Sequence, residues 1–230
     1  MIASTQRCCR LFLFDLDGTL IDSRADITSA LNRMLARMDL PALPESRVAD
    51  FVGMGVRKLV ERSLREINST EPAADLVQRG ITLFREEYGN HLVVQTRLCP
   101  YVEEALNLLS WAELAVVSNK PEGFCRRILF LLGVESRFCA IIGEDGASPR
   151  KPDPALLFKA MDHCGAGPAD TVMVGDSAVD IEAGKAAGIF TCGVVGGYRP
   201  KEELEAAGCD LLIEDLRQLA DYFRPADKNM

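Results

Sequence analysis

The sequence predicts an α/β fold: a Rossmann-like parallel sheet with helices on both faces, and an inserted all-helical domain. Short apolar runs alternate with helical patterns along most of the 230 residues, an order typical of a parallel sheet covered on both sides. The alternation stops between residues 20 and 94, where helical stripes occur without a good strand. Apolar residues make up 48% and charged residues 26%, a mixture that argues against disorder.

Six short apolar runs predict strands that are buried on both faces. They are Leu11–Phe14, Leu114–Val117, Ala140–Ile142, Thr171–Val174, Thr191–Val195 and Leu211–Ile213. Between them, apolar residues recur at helical spacing in residues 102–109, 124–131 and 156–161. The resulting order of strands and helices predicts that parallel strands are joined by helices.

Three helical stripes, at residues 27–38, 56–67 and 76–88, occupy the segment that interrupts the alternation. Ser23 followed by Asp26 fits an N-terminal capping pattern for the first of these helices. The helices could simply cover the sheet as an oversized crossover, but their combined length favours a separate domain. We therefore expect a core domain of residues 1–19 and 95–230, with a helical domain at 20–94.

Composition narrows the choice of partners. The formal net charge of −8 favours neither nucleic acid nor an anionic membrane surface as a partner. No apolar run approaches the roughly 20 residues of a membrane helix, and the start of the chain has no signal-peptide core. Eight cysteines without a C-x-x-C pair predict reduced, mostly buried thiols in a cytoplasmic protein. A small molecule is the expected partner, and the sequence does not indicate an oligomeric state.

The first strand ends in Asp15-Leu16-Asp17-Gly18. On an extended segment, side chains two residues apart face the same way, with about 7 Å between their α-carbons. The carboxylates of Asp15 and Asp17 could therefore converge on one small cation, and Gly18 would allow a sharp turn beside it. A hairpin is the alternative, because Asp-Gly between apolar runs is a strong turn signal.

Three later segments also place polar residues where a strand ends or a helix begins. Ser118 and Asn119 follow the second strand, Lys151 lies between Arg150 and a Pro-Asp-Pro turn, and Asp176 and Asp180 open a helix. Each has an ordinary alternative: helix capping for Ser118 and Asp176, and a solvated turn for Lys151.

Together these residues are better explained by one site. Ligands of open parallel sheets bind beyond the carboxyl ends of the strands, which is where Asp15, Asp17, Ser118 and Asp176 are expected. Several carboxylates at one edge need a cation, and hard oxygen ligands favour Mg²⁺. A lysine and backbone N–H groups at the same edge favour an anion, most simply phosphate.

In this order, D-L-D-G-T-L, the strand-end Ser118, Lys151 and G-D-x-x-x-D resemble the four motifs of haloacid-dehalogenase-superfamily phosphatases. The resemblance covers residues 10–215. The helical insert after the first motif looks like the small α-helical cap domain of the phosphoglycolate phosphatase subgroup. The stretches Phe51–Leu59, K-P-x-P and G-x-x-x-G-Y (Gly193–Tyr198) are also similar to that subgroup.

The resemblance implies catalytic and metal-binding roles. Asp15 would be the nucleophile that forms an aspartyl-phosphate, and Asp17 would be the general acid and base. Mg²⁺ would be held by the side chains of Asp15 and Asp176 and by the backbone carbonyl of Asp17. Asp180 would orient this metal site from outside the ligand set.

The resemblance also implies how the substrate is held. Ser118, the Asn119 amide and Lys151 would bind the phosphoryl oxygens. Apart from the resemblance, the loop Gly53-Met54-Gly55 is either a plain turn between helices or a substrate-facing loop of the insert. In the second case Arg57, two residues further on, is available for a second anionic group such as a carboxylate.

The expected function is therefore a Mg²⁺-dependent phosphomonoesterase acting on a small organic phosphate, 2-phosphoglycolate by resemblance. Asp17 argues against carbon–halogen cleavage, since the dehalogenases of the family lack this second acid. Lys58, the only lysine in the insert, does not lie in a motif like that of the phosphonate-cleaving relatives. A sugar-phosphate phosphomutase and a non-catalytic receiver-like phosphoacceptor domain are the remaining alternatives.

Overall fold

The computed structural model describes residues 6–146 and 148–226. The strands are β1 (Arg7–Cys9), β2 (Leu11–Phe14), β3 (Ile21–Asp22), β4 (Arg97–Leu98), β5 (Glu113–Pro121), β6 (Ala140–Glu144), β7 (Thr171–Gly175), β8 (Phe190–Val194), β9 (Leu211–Ile213) and β10 (Phe223–Pro225). The α-helices are α1 (Arg24–Ala36), α2 (Glu45–Phe51), α3 (Gly55–Asn68), α4 (Ala74–Asn90), α5 (Val102–Leu108), α6 (Glu122–Leu131), α7 (Ala155–Cys164), α8 (Ala178–Ala186), α9 (Lys201–Ala207) and α10 (Leu219–Tyr222).

The main sheet has six parallel strands in the order β6-β5-β2-β7-β8-β9. Each predicted apolar run forms one of these strands, although the fifth begins at Phe190 and ends at Val194. Strand β2 pairs in parallel with β5 and β7, so the alternative of a hairpin at Asp17-Gly18 is wrong. The carboxyl ends of β5, β2 and β7 therefore lie side by side.

Both faces of the sheet are buried, as expected for a parallel sheet. On β2, Phe12 and Phe14 belong to one apolar cluster, whereas Leu11 and Leu13 belong to another beneath α7. This division follows from the two-residue repeat of a strand. The larger cluster continues into the helical insert, so one apolar core joins the insert to the sheet.

The helical insert, residues 24–90, consists of α1 to α4 and lies between β3 and β4. Helix α1 packs on α2 and α4, and α3 packs on α4. Contrary to expectation, residues 20–94 include a short strand, β3, in which Ile21 pairs antiparallel with Leu98 of β4. Ser23 occupies the N-cap of α1 but makes no side-chain cap hydrogen bond. Asp26 instead accepts backbone hydrogen bonds from the segment 94–96.

The cysteines depart from the sequence prediction at one place. Cys139, which precedes β6, and Cys164, at the end of α7, form a disulfide, so the expectation of reduced thiols is wrong for this pair. The two cysteines are 25 positions apart in the sequence. They meet because α7 packs against β5 and β6. In residues 6–146 and 148–226, no helix is both long enough and apolar enough to cross a membrane.

Candidate active site

The candidate site lies where β2, β5 and β7 end. Asp15 directly follows β2, Ser118 lies in the last part of β5, and Asp176 directly follows β7. All three residues are buried. Parallel strands bring these ends to one edge, which is why residues far apart in the sequence become neighbours.

Lys151 connects two of the carboxylates. Its Nζ donates to Asp15 Oδ1 at 2.8 Å, to Asp180 Oδ1 at 2.6 Å and to the Val117 carbonyl at 2.7 Å. The side chain is only 2% exposed, so the alternative of a solvated lysine in a turn is wrong. Burial alone would lower the pKa of Lys151, but Asp15 and Asp180 raise it above its usual value. The two carboxylates therefore favour the charged ammonium form of this side chain.

The carboxylate cluster consists of Asp15, Asp176 and Asp180, and one carboxylate oxygen from each lies within 4.8 Å of those from the other two. Burial, reinforced by repulsion from Asp180, raises the pKa of Asp176 to about 8. Burial also raises the pKa of Asp15 to about 6 although Lys151 opposes this shift. One lysine thus leaves the cluster short of positive charge. A donor set of carboxylate oxygens is what a hard divalent cation such as Mg²⁺ requires.

The cluster is held in place from several sides. Asp176 accepts hydrogen bonds from Thr19 Oγ1 at 3.2 Å and from the backbone N–H of Tyr198 at 2.6 Å. Ser177, not Asp176, is the N-cap of α8, and it forms a capping box with Asp180, so the capping alternative for Asp176 is wrong. With both oxygens of Asp180 engaged by Lys151 and Ser177, this residue is fixed by protein contacts.

Gly18 is required by this arrangement for two reasons. Its φ is +89°, a conformation that favours glycine. A Cβ atom at this position would also meet Asp176 Oδ2 at 2.3 Å. The turn after β2 therefore approaches the carboxylate as closely as a bare backbone permits.

Asp17 lies apart from the carboxylate cluster. Its Oδ1 accepts hydrogen bonds from Ser23 Oγ at 2.5 Å and from Lys120 Nζ at 2.6 Å. The cluster that contains Asp15 does not include Asp17, so the strand-based prediction that the two side chains converge on one cation lacks geometric support. The reason is that the extended segment ends at Phe14 and the chain turns at Gly18.

Ser118 lines the cavity described below, but the side chain of Asn119 is used elsewhere. Its amide donates to the carbonyls of Gly53 and Lys151, both at 3.0 Å, and its carbonyl oxygen accepts from the Lys151 N–H at 2.9 Å. The predicted contact of this amide with phosphoryl oxygens lacks geometric support. A contact from Asn119 would have to come from its backbone N–H. Ser118 is not a helix cap either, since Pro121 precedes α6 as its N-cap.

A cavity lies between the strand ends and the helical insert. Apolar groups of the insert form one wall, and polar residues that follow β2 or lie near the end of β5 form the other. Its lining residues are Asp15, Asp17, Ile27, Val52, Gly53, Gly55, Val56, Leu59, Phe84, Tyr88, Ser118, Asn119, Lys120, Pro121 and Phe124.

Arg57 is not among the residues that line this cavity. Val56 and Leu59 belong to the buried stripe of α3, which leaves Arg57 on the outer side of the helix. There its side chain is 46% exposed and lies 3.7 Å from Glu61. The sequence-based assignment of Arg57 to the substrate therefore has no support from this placement.

Four residues near Asp17 were not predicted as site residues: Ser23, Tyr88, Lys120 and Tyr198. Lys120 could have been predicted to lie in the site, because it is two residues after Ser118 in the same strand and side chains at that spacing share a face. Tyr88 and Tyr198 come from distant segments. No local pattern marks their approach to Asp17.

Comparison with known proteins shows which family the chain resembles. A sequence model of the family described as haloacid dehalogenase-like hydrolase matches residues 12–194. A phosphoglycolate phosphatase from Nitrosospira multiformis is 35% identical over 89% of this chain and 91% of its own. Another, from Neisseria meningitidis, is 37% identical over 92% of each chain. The crystal structure of a predicted phosphoglycolate phosphatase from Haemophilus somnus 129PT has a TM-score of 0.85 and 30% identity, covering 93% of this chain and 97% of that one. The chain belongs to the haloacid dehalogenase-like hydrolase family.

Proposed function

We propose that this chain is a Mg²⁺-dependent phosphomonoesterase that hydrolyses a small organic phosphate, 2-phosphoglycolate, through an aspartyl-phosphate intermediate. The observation that carries the proposal is the placement of Asp15. It is buried within a cluster of carboxylates, hydrogen-bonded to Lys151, and it lines a cavity that a second acid, Asp17, also lines. The names of the similar proteins support the choice of substrate.

The carboxylate cluster fits the metal that the family uses. The side chains of Asp15 and Asp176 and the backbone carbonyl of Asp17 would hold Mg²⁺, with Asp180 fixing the position of Lys151. When bound, the ion supplies the positive charge that lets a phosphate dianion approach a carboxylate. The raised pKa values of Asp15 and Asp176 support this assignment, because the cluster lacks sufficient positive charge of its own.

In the first half-reaction, a carboxylate oxygen of Asp15 attacks phosphorus while the bond to the leaving oxygen breaks. Lys151 and Ser118 hold the phosphoryl oxygens, and Lys151 must exchange its hydrogen bond to Asp15 for one to phosphate as the attack begins. Asp17, in its protonated form, gives its proton to the leaving oxygen. The products are the aspartyl-phosphate, the free alcohol and ionised Asp17.

In the second half-reaction, ionised Asp17 takes a proton from a water molecule whose oxygen attacks phosphorus. The bond between phosphorus and Asp15 breaks, which releases inorganic phosphate and restores both acids to their starting states. Asp17 can serve both steps because it is held apart from the cluster, by Ser23 and Lys120. Because Asp17 lines the cavity but lies outside the carboxylate cluster, it can exchange its proton with a molecule bound in the cavity.

Purified protein should release phosphate from 2-phosphoglycolate in Mg²⁺, and chelation with EDTA should abolish this activity. Asp15→Asn, which cannot form the intermediate, is the matched control. A sugar-phosphate mutase would isomerise hexose or pentose monophosphates without net phosphate release. A receiver-like phosphoacceptor would become labelled without turnover. Absence of phosphate release from any small ester in the presence of Mg²⁺ would refute the proposal.

A further inference from the structure

Lys120 is a buried cation that transfers no proton and binds no phosphoryl oxygen in the half-reactions proposed above. It lies near the carboxyl end of β5, and its side chain is only 6% exposed. Around it the cavity is lined by apolar groups, including those of Leu59 and Phe124. A buried ammonium is costly unless it is paired and hydrogen-bonded. Here it donates to Asp17 Oδ1 at 2.6 Å and to Tyr88 Oη at 2.8 Å.

We propose, building on the function proposed above, that Lys120 is a positioning residue for Asp17 and that Tyr88 links this positioning to the helical insert. The contacts of Asp17 are asymmetric. Ser23 and Lys120 both donate to Oδ1, whereas Oδ2 accepts no hydrogen bond from residues 6–146 or 148–226. Two donors on one oxygen fix the plane of the carboxyl group. Oδ2 is then the oxygen that exchanges a proton with substrate and water.

Tyr88 connects Lys120 to the insert. It belongs to α4, is 1% exposed, and stacks on Phe84 of the same helix with ring centroids 5.5 Å apart. Its ring also packs in a T-shaped arrangement with that of Phe124 in α6, with centroids 5.5 Å apart, so Tyr88 lies at the boundary between the insert and the sheet. The hydroxyl that accepts from Lys120 is therefore in place only when α4 is docked on the sheet. Docking of the insert thus helps to orient the acid–base group.

The two buried lysines of the site have separate tasks. Lys151 donates to Asp15, the proposed nucleophile, and Lys120 donates to Asp17. A lysine that bound the substrate anion directly would mainly affect KM. A lysine that orients the general acid should affect the chemical step, and should do so according to how much the leaving group needs a proton.

The test compares Lys120→Met and Tyr88→Phe on two substrates, 2-phosphoglycolate and p-nitrophenyl phosphate. Rapid quenching measures formation of the aspartyl-phosphate, and steady-state kinetics give kcat and KM. With 2-phosphoglycolate, Lys120→Met should slow this step about tenfold or more, because its alkoxide leaving group needs the proton. With p-nitrophenyl phosphate the loss should be at most about threefold. Tyr88→Phe, which keeps the ring packing, should shift the ratio of the two rates in the same direction by a smaller factor.

Lys201→Met and Tyr222→Phe, which alter exposed residues outside the site, should leave both rates unchanged. Equal losses on the two substrates in Lys120→Met and Tyr88→Phe, or an increase in KM alone, would overturn the proposal. If Lys120→Met fails to fold, an unchanged rate ratio in Tyr88→Phe would overturn the role of Tyr88, and a shifted ratio would support the linked arrangement. If the unaltered protein hydrolyses neither ester, the proposed function fails and the role of Lys120 fails with it.

Discussion

Asp15 and Asp17 are two residues apart, yet their surroundings differ at every contact. Asp15 is paired with Lys151 inside the carboxylate cluster, whereas Asp17 is held by Ser23 and Lys120 outside it. A nucleophile must stay ionised, and a general acid must lose and regain a proton. Different partners for two identical side chains are how one site accommodates both requirements.

Asp17→Asn should separate the two half-reactions. Asparagine has nearly the same shape but cannot donate and accept a proton as required, so turnover of 2-phosphoglycolate should fall by about 10²- to 10⁴-fold. With p-nitrophenyl phosphate, the first step hardly needs the acid but the second still needs the base. Aspartyl-phosphate should therefore accumulate, as measured by acid-quenched mass spectrometry beside Asp15→Asn as the blank. Near-normal turnover of the alkyl phosphate by folded Asp17→Asn would contradict the assigned role.

Gly18→Ala should weaken metal binding as well as folding. The substitution places a Cβ atom 2.3 Å from Asp176 Oδ2, so the carboxylate must move. Gly133→Ala is a matched control, because Gly133 also has a positive φ, of +76°, but a Cβ there would meet nothing within 4 Å. Both variants should lose about 1 kcal/mol to backbone strain. Only Gly18→Ala should raise the Mg²⁺ concentration needed for half-maximal activity; an equal increase in both variants would contradict this explanation.

The residues of the site that lie in short motifs could be predicted from the sequence, and those that depend on the insert could not. Asp15, Asp176 and Lys151 each occur in a local pattern of glycine, proline and acid at a strand or helix boundary. Tyr88 contacts Lys120, which is 32 positions away in the sequence, and no periodicity in the sequence predicts this contact. Arg57 shows the opposite case, since it follows a glycine turn but the apolar stripe of α3 places it on the outer side of the helix.

At the scale of elements, apolar runs predicted all six strands of the main sheet because burial on both faces leaves a continuous signal. The short pairs β1–β10 and β3–β4 have two or three residues per strand, too few for any period to show. Their pairing depends on the elements that bring them together. The same limitation applied to α2, a seven-residue helix that lay outside the three predicted stripes.

Asn119 links three elements, so Asn119→Ala should affect more than one of them. Its side chain contacts the turn between α2 and α3 through Gly53, and both backbone groups of Lys151. Its loss leaves a buried N–H and buried carbonyls without their partner, at a cost of about 1–3 kcal/mol. Urea denaturation should show this loss, and kcat should fall because Lys151 loses a positioning contact. Asn107→Ala, at an exposed position, is the control; equal stability of the two variants would contradict the link.

At the scale of the whole molecule, the disulfide Cys139–Cys164 should contribute to stability. It closes a loop between residues 25 positions apart, for which chain-entropy arguments give about 3 kcal/mol. Adding the reductant TCEP should lower the free energy of unfolding by about that amount, and Cys139→Ser should be insensitive to TCEP. Alkylation of both thiols in folded protein that has never been exposed to a reductant would show that the bond does not form in solution.

The carboxylate cluster should also make stability depend on pH and metal together. In the metal-free fold, burial raises the pKa of Asp176 from 3.8 to about 8 and that of Asp15 to about 6. Both groups ionise near pH 4 in the unfolded chain. Between these values the folded state holds more protons than the unfolded state, so their contribution to stability falls as pH rises. It is largest at or below about pH 4 and is lost progressively up to about pH 8.

Bound Mg²⁺ should reverse this trend, because it interacts with the ionised carboxylates. In EDTA, the contribution of Asp15 and Asp176 to the melting temperature should fall from pH 5 to pH 8. Excess Mg²⁺ should raise the melting temperature more at pH 8 than at pH 5. Other groups titrate in this range as well, so the measured quantity is the difference between the unaltered protein and Asp176→Asn, which lacks the more strongly shifted acid. That variant should show a flatter pH profile in EDTA and a smaller response to Mg²⁺. If the two proteins respond identically to pH and to Mg²⁺, the pKa of Asp176 is not raised in the fold and Asp176 is not a metal ligand. The cluster is then not the metal site.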